Sequence, residues 1–338
     1  MDKEEKLKNL YFSVLDLVPV IQGSTHKEAM ENSLALAQHA EKLGYKRFWI
    51  SEHHNTESLV SSATPLLIGY IAQGTKTIRV GSGGVMLPNH APLVVAEQFG
   101  TLSTLYPNRI DLGLGRAPGT DQQTARALRR ERVETVNDFP EDVQKLEKYF
   151  SKNNMHSPVR AIPGEGLEVP LYLLGSSTYS AQLAGTLGLP YAFASHFAPT
   201  HLHDALRLYH SHFEISKQLA KPYTMACINL VIADTDGEAE YLATSMKCFM
   251  LNVIRNTRQP LAPPVQSMEG LWNPMEEAHI MQMMQYTFVG NKETVREKLT
   301  NFVGETRVDE IIAVAHIYDQ KARLRSFELL SQIFKGIK

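Results

Sequence analysis

The sequence predicts a single (β/α)8 barrel of the α/β class that spans residues 1–338, and three observations predict it. Eight short runs of apolar and β-branched residues alternate with stretches of helical period, which is typical of a parallel sheet covered by helices. Eight such units suit a closed barrel, because a doubly wound sheet more often uses about five or six strands. A last amphipathic helix, Gln320–Phe334, completes the final unit.

The elements follow in order along the chain. The first predicted helix has a capping box, since Glu28 lies three residues after Thr25, and it ends at Gly44, a residue suited to a left-handed C-cap. Three further helices are predicted at about residues 63–73, 93–105 and 181–187. The predicted strands are Tyr11–Leu17, Arg47–Ser51, Ile78–Leu87, Ile110–Gly115, Leu171–Leu174, Tyr191–Ser195, Thr224–Ala233 and Ile311–Ile317.

Two segments interrupt this alternation. The segment 151–169 is rich in Pro, Gly and Asn, and the segment 252–285 carries three prolines and a Met-rich run. Both are predicted to be long loop insertions at the C-terminal face of the barrel, where ordered long loops are often functional.

Composition excludes several classes of protein. Lys plus Arg is 34 and Asp plus Glu is 36, a net charge of −2 without a long basic run, which argues against binding to nucleic acid. Two cysteines, Cys227 and Cys248, cannot form a disulfide framework. Residues 1–9 are highly charged and lack the apolar core of a signal peptide, and the apolar stretch 11–21 is too short to cross a membrane. We therefore expect a cytoplasmic protein.

The active site of a barrel lies at the C-terminal ends of its strands, so candidate site residues are expected at those ends. The second strand ends in Ser51-Glu52-His53-His54, where Glu52 could orient an imidazole. Adjacent histidines lack the one-face spacing of a metal-binding pair, and His196, His201 and His203 have no carboxylate at complementary spacing. No metal site is predicted.

The third and fourth strands end in glycine-rich segments. Gly83-Gly84 leaves no side chain to obstruct a flat ring, although a tight bend of the barrel would also explain these glycines. The run Gly113-Leu114-Gly115 approaches the dinucleotide-binding pattern, but Pro118 occupies the third glycine position, so a Rossmann fold is rejected.

A phosphate site is predicted from two neighbouring strand ends. Arg116 follows the fourth strand and can hold an anion by bidentate contacts. The fifth strand is followed by Gly175–Ser180 and a helix, and a helix N-terminus with small hydroxyl residues forms a phosphate cradle. Capping of the helix by Ser177 or Thr178 is compatible with that use.

Taken together, these segments resemble the bacterial luciferase-like, flavin-dependent monooxygenases, most closely the branch called luciferase family oxidoreductases, group 1. The resemblance covers nearly the whole chain. Gly115 stands where luciferase itself has a reactive cysteine, so light emission is not implied. The segments that carry the resemblance are Ser51–His54, Gly81–Pro88, Arg109–Gly119, Gly175–Ser180, Leu187–Pro190 and Ala194–Phe197.

The resemblance implies roles for individual residues. Arg116, Ser177 and Ser180 would contact the flavin phosphate, and Tyr179 would add a backbone or ring contact. His53 would be the catalytic base or hydrogen-bond partner at the reactive face of the flavin, held in place by Glu52. The ring would lie against a cis Gly83-Gly84 peptide, Val85 and Met86, with Asp16 and Ser195 nearby. Weaker candidates for the substrate side are His90, His196, Trp272 and His316.

The resemblance also implies the cofactor and the partners. FMN would be bound as FMNH2 delivered by a separate flavin reductase, and the enzyme would activate O2 to oxidise a small organic substrate. A homodimer is implied as well. Two alternatives stay open: a deazaflavin-dependent hydride-transfer oxidoreductase of the same fold, and a non-catalytic flavin-binding protein. The sequence identifies neither the substrate nor the reductase.

Overall fold

The computed structural model describes residue 7 and residues 10–117, 119–129 and 138–335. Pro118 and most of the charged N-terminal segment lie outside the described residues. Nine parallel strands are present in this part of the chain. They are β1 (Tyr11–Asp16), β2 (Arg47–Ile50), β3 (Arg79–Met86), β4 (Ile110–Gly115), β5 (Leu171–Gly175), β6 (Tyr191–Phe193), β7 (Thr224–Ile232), β8 (Thr287–Gly290) and β9 (Glu310–Val314).

Eight of these strands close into a barrel, which confirms the predicted (β/α)8 fold. Strands β1 to β6 pair in sequence, β9 pairs with both β1 and β7, and the β6–β7 pairing closes the ring. Each of the eight predicted strands corresponds to one of these barrel strands. The ninth strand, β8, pairs only with β7 outside the ring. Its four residues lie just beyond the predicted second insertion, 252–285, and were not among the predicted strands.

The helices cover the outside of the barrel. Among the described residues, no helix is long and apolar enough to cross a membrane. The helices are α1 (His26–Leu43), α2 (Thr64–Gly74), α3 (Pro92–Leu105), α4 (Gln122–Arg129), α5 (Phe139–Phe150), α6 (Thr178–Thr186), α7 (Leu202–His212), α8 (Asp236–Ile254), α9 (Pro274–Met283), α10 (Lys292–Thr306) and α11 (Gln320–Lys335).

The first helix begins and ends where its sequence predicts. The Thr25 side chain accepts a hydrogen bond from the Glu28 amide at 3.2 Å, and the Glu28 carboxylate accepts one from the Thr25 amide at 2.7 Å. The helix ends at Gly44, which has φ 80°, a left-handed conformation that favours glycine. The capping box and the C-cap are therefore both confirmed.

The two interrupting segments differ from the prediction in different ways. Residues 252–285 do lie at the C-terminal face, but they contain the end of α8 and the whole of α9 and are not one long loop. Residues 151–169 do not lie at the C-terminal face, contrary to the prediction. They connect α5 to the start of β5 and therefore reach the barrel at its N-terminal end. There Gly164 packs against Gly100 of α3, and none of the segment lines the cavity described below.

Charged side chains fill the N-terminal end of the barrel. Arg47 donates to Asp111 at 2.8 Å and to Glu310 at 2.8 Å, and all three side chains are almost fully buried. The Tyr172 hydroxyl accepts from Arg47 at 2.7 Å. Removing one partner of a buried ion pair costs about 3–5 kcal/mol. This network therefore joins β2, β4, β5 and β9 at one end and leaves the other end of the barrel open for a site.

Candidate active site

A cavity of about 690 Å³ opens at the C-terminal ends of the strands. Its walls come from the ends of most of the barrel strands, from α8 and from the segment between α8 and α9. The predicted site residues that line it are His53, Gly83, Gly84, Met86, Arg116, Ser177, Ser180, His196 and His316.

One wall of the cavity is built from glycines. The register of β3 against β4 shifts between Ser82 and Val85, and Gly83 and Gly84 lie in this irregularity. The peptide bond between them is cis, as the resemblance implied. A Cβ on Gly84 would lie 2.8 Å from the Gly113 carbonyl oxygen, so a side chain would not fit without a shift of the backbone. This part of the wall is therefore formed by backbone without side chains.

Next to this wall, Arg116 and the N-terminus of α6 form a candidate anion-binding site. The Arg116 guanidinium lies 4.2 Å from the centre of the Tyr179 ring, and within the described part of the chain no carboxylate pairs with it. Ser177 is the N-cap of α6, yet its side chain makes no capping hydrogen bond. Ser176 and Ser177 line the cavity beside this free helix end. A cation and a helix N-terminus together are suited to a phosphate group.

Tyr179 and Ser180, two of the residues predicted to contact the phosphate, have other contacts in the structure. Tyr179 does not line the cavity; its ring, 37% exposed, supports Arg116 from outside. Ser180 does line it, but its hydroxyl already donates to the Ser177 carbonyl at 3.0 Å. Both residues lie in the first turn of α6, and their side chains project from the side of the helix and not from its N-terminal end.

His53 lies at the cavity and is neutral at pH 7. Burial lowers the pKa of His53 to about 4. Its Nδ1 atom lies 3.0 Å from the Ser51 hydroxyl. The prediction that Glu52 holds His53 is therefore wrong, and Ser51 is its partner. Both His53 and His54 line the cavity. They can face the same side because β2 ends at Ile50, so the alternation of strand side chains does not extend to them.

Glu52 instead links two other histidines to β3. Its Oε1 atom lies 2.8 Å from the Nε2 atoms of both His54 and His90, and its Oε2 atom accepts from the Met86 amide at 3.1 Å. Burial acts to raise the pKa of Glu52, but the hydrogen bonds outweigh it and lower this pKa to about 2. Glu52 is therefore an ionised, buried carboxylate at the end of β2.

Glu52, His54 and His90 are also a group of side chains that could bind a metal ion. Their ligand atoms all lie within 4.8 Å of one another. Sequence spacing could not show this, because His90 follows β3 and the other two follow β2. The hydrogen bonds to Glu52 account for the geometry, and the expectation that the protein has no metal site stays a prediction.

His196 and His316 are buried beside the cavity with unused polar atoms. Burial lowers the pKa of His196 to about 3 and that of His316 to about 4, so both imidazoles are neutral at pH 7. His316 stacks on Phe249, with ring centres 4.6 Å apart. Both ring nitrogens of His316 and the Nδ1 atom of His196 lack a hydrogen-bond partner among the described residues.

The other predicted site residues lie away from the cavity wall. Asp16 is buried and pairs with Arg323 at 2.6 Å, and Ser195 donates to the Cys227 carbonyl at 2.6 Å. Val85 is buried in the ladder between β3 and β4, and Trp272 packs against the core before α9. The structure therefore gives Ser195, Val85 and Trp272 structural roles. Asp16 also has one through its Oδ1 atom, whereas its buried Oδ2 atom has no hydrogen-bond partner among the described residues.

Four apolar residues of the cavity were not predicted from the sequence. Phe249, Met250 and Val253 project from α8, and Cys227 of β7 also lines the cavity. These residues look like ordinary core or surface positions in a helix or strand, and no local pattern in the sequence marks them as cavity residues.

Replacing Glu52 by glutamine is expected to lower the free energy of unfolding by about 2–4 kcal/mol at pH 7, because two imidazoles lose a buried charged partner. The pKa of Glu52 is lowered in the folded state, so its contribution is present above about pH 4.5 and is lost as the pH falls towards 2. Urea unfolding at pH 7 measures the effect. Glu57→Gln, on the exposed loop that follows, is the matched control. Equal losses in both variants would contradict the assigned role.

Comparison with known proteins identifies the family. The profile of the luciferase-like monooxygenases matches residues 11–310. A luciferase-like monooxygenase of Escherichia coli K12 is 51% identical over 326 residues, which are 96% of this chain and 97% of that protein. N-acetyl-S-alkylcysteine monooxygenase of Bacillus subtilis is 32% identical over 332 residues, 96% of this chain and 98% of that protein. The crystal structure of apo-MsnO8 has a TM-score of 0.86 at 32% identity and covers 96% of this chain and 98% of that one. The chain therefore belongs to the luciferase-like monooxygenase family and is an oxidoreductase.

Proposed function

We propose that the protein is an FMN-dependent monooxygenase of the two-component type, which receives FMNH2 from a separate flavin reductase and uses O2 to oxidise a small organic substrate. The observation that carries the proposal is the combination of Arg116, the free N-terminus of α6 and the glycine wall in one cavity.

The residues present fit FMN. The phosphate carries negative charge, which the Arg116 guanidinium and the amides at the start of α6 would neutralise. The planar ring needs a surface without side chains, which Gly83 and Gly84 provide, and a Cβ at Gly84 would meet backbone. When bound in reduced form, FMN supplies the electrons for oxygen chemistry, which no side chain can supply.

The protein's own residues would bind, orient and shield. The neutral imidazole of His53, fixed by Ser51, can donate or accept one hydrogen bond and exchange a proton at the reactive end of the cavity. Glu52 fixes the end of β3 through the Met86 amide. The apolar side chains of Phe249 and Met250 limit the access of water.

Oxygen reactivity tests this proposal. The protein is mixed with FMNH2 without oxygen, oxygen is then admitted, and the absorption spectrum is followed. We expect a long-lived species absorbing at about 370–380 nm, as general flavin chemistry gives for oxygen-activating enzymes. Tight binding with immediate reoxidation would favour hydride transfer or passive flavin binding. Absence of binding would contradict the FMN assignment and lead to a deazaflavin.

Replacing His53 by asparagine is expected to shorten the lifetime of this absorbing species by up to about tenfold, since one hydrogen bond contributes about 0.5–1.5 kcal/mol. FMN affinity should change little, because the phosphate contacts remain. His279→Asn, an exposed position on α9, is the control. An unchanged lifetime with FMN bound would show that His53 has no part in the chemistry.

A homodimer belongs to the proposal as well. Helices α2 and α3 expose large apolar side chains, among them Leu66 at 76% and Leu105 at 63%. Such surfaces are typical of protein contacts, and a second copy of the chain would cover them.

A further inference from the structure

The cavity has two chemically different parts. The ends of β3, β4 and β5 contribute glycines, serines and Arg116, which the proposed function assigns to FMN. The other side of the cavity is formed by residues of β7, β9 and α8, by His316 after β9 and by His196 after β6. The strand and helix residues are Cys227, Phe249, Met250, Val253 and Ile312. We call this second set the apolar half. It contains no charged side chain.

Polar atoms without partners point to a ligand in the apolar half. His316 is only 2% exposed, yet both of its ring nitrogens lack a hydrogen-bond partner within the residues the structure describes. His196, 8% exposed, has an unpartnered Nδ1. Buried polar groups are nearly always hydrogen-bonded, and exceptions at a cavity indicate a binding site. The stacking of His316 on Phe249 fixes the imidazole plane.

The charges around these histidines restrict what can bind. Burial keeps the pKa of both imidazoles low, so at pH 7 each offers one donor and one acceptor and no positive charge. The buried acid near His316, Asp16, pairs with Arg323 through its Oδ1 atom, and its Oδ2 atom has no partner within the described residues. Arg258, a cation at the cavity, already contacts Asp121 at 3.4 Å and the Asn55 carbonyl at 2.6 Å. A carboxylate in the apolar half would lose its hydration without gaining a cation.

We propose that the apolar half binds the oxidisable part of the substrate as an uncharged, mainly apolar group with one carbonyl or hydroxyl oxygen held by His316 and His196. Its assignment to the substrate rests on the proposed function, which places FMN in the other half. The apolar side chains receive the hydrocarbon part, and the two imidazoles replace the water that the oxygen atom loses.

Three probes of similar length test the proposal: 2-octanone, octanoate and 1-chloroheptane. Their dissociation constants are measured by calorimetry, with and without FMN bound. We expect 2-octanone to bind at least tenfold more tightly than octanoate and several-fold more tightly than 1-chloroheptane. In His316→Phe, which retains an aromatic ring against Phe249, the advantage of the ketone over the chloroalkane should fall at least threefold. His279→Phe, on the exposed face of α9, should keep the parental order.

Other outcomes overturn the inference. Octanoate binding as tightly as the ketone, no binding of any probe, or a ketone advantage unchanged in His316→Phe would each do so. A separate FMN titration keeps the two proposals apart. If FMN fails to bind while the ketone preference is present, the FMN assignment fails and the character of the apolar half stands.

Discussion

Replacing Arg116 by alanine is expected to weaken FMN binding by about 10- to 100-fold, because hydrogen bonds to a charged group contribute about 1.5–3 kcal/mol. The guanidinium lies at the cavity, supported by the Tyr179 ring, so its loss leaves only the amides of α6 to face the phosphate. Fluorescence titration of the protein with oxidised FMN measures the dissociation constant. Riboflavin, which lacks the phosphate, should bind parent and variant with similar affinity.

Arg258→Ala is the matched control, because it removes a cation from the same cavity that is already partnered by Asp121. We expect it to change FMN affinity by less than about threefold, as for a partly exposed ion pair. If Arg116→Ala weakened FMN and riboflavin equally, Arg116 would act on the shape of the cavity and not on the phosphate. If FMN bound the variant as tightly as the parent, the phosphate assignment would be wrong.

Acid is expected to destabilise the protein well above the pH at which carboxylates titrate. Burial lowers the pKa values of His53, His196 and His316 to about 4, 3 and 4 from an ordinary value of 6.5. The unfolded chain therefore takes up protons as the pH falls below 6.5, while the folded protein does not until about pH 4. Stability is lost in this window, by about 1.4 kcal/mol per pH unit for each group and about 4 kcal/mol per unit for all three.

Urea unfolding at pH 7, 6 and 5 measures this slope. His316→Phe should reduce it by about one third, whereas His279→Phe should leave it unchanged because His279 is exposed. The charged groups beside His316 are Asp16 and Arg323, which contact each other at 2.6 Å. A free energy of unfolding that is constant from pH 7 to pH 5 would show that these imidazoles gain protons in the folded protein as readily as in the unfolded chain.

The barrel could be predicted from the sequence because its strands are buried on both faces. Runs such as Ile110–Gly115 and Thr224–Ile232 are therefore mainly apolar, apart from buried polar residues such as Asp111 and Asn229, and stand out between helices of regular period. The short strand β8 has only four residues and follows directly after α9, so no clear boundary marks it. The segment 151–169 was placed at the wrong end because its composition shows that it is a loop, whereas its position depends on which elements it joins.

The part of the candidate site that could be predicted from the sequence is the part formed at the C-terminal ends of the strands. Gly83 and Gly84 lie near the C-terminal end of β3, and Arg116 and Ser177 follow the ends of β4 and β5. The barrel geometry therefore brings them together. Side-chain pairing was not predictable in the same way. Glu52 bonds to His90, which is 38 residues away, and not to its neighbour His53. The cavity residues of α8 depend on how far that helix extends beyond β7, which no local pattern reveals.

The ion network at the N-terminal end of the barrel has a consequence for the evolution of new specificities. Arg47, Asp111, Tyr172 and Glu310 hold four strands together at the end of the barrel farthest from the cavity. Substitutions at Phe249, Met250 or Val253 therefore leave this network untouched. After gene duplication, substitutions on the cavity face of α8 can therefore change the specificity of such a barrel, while the ion network at the other end keeps each descendant protein folded.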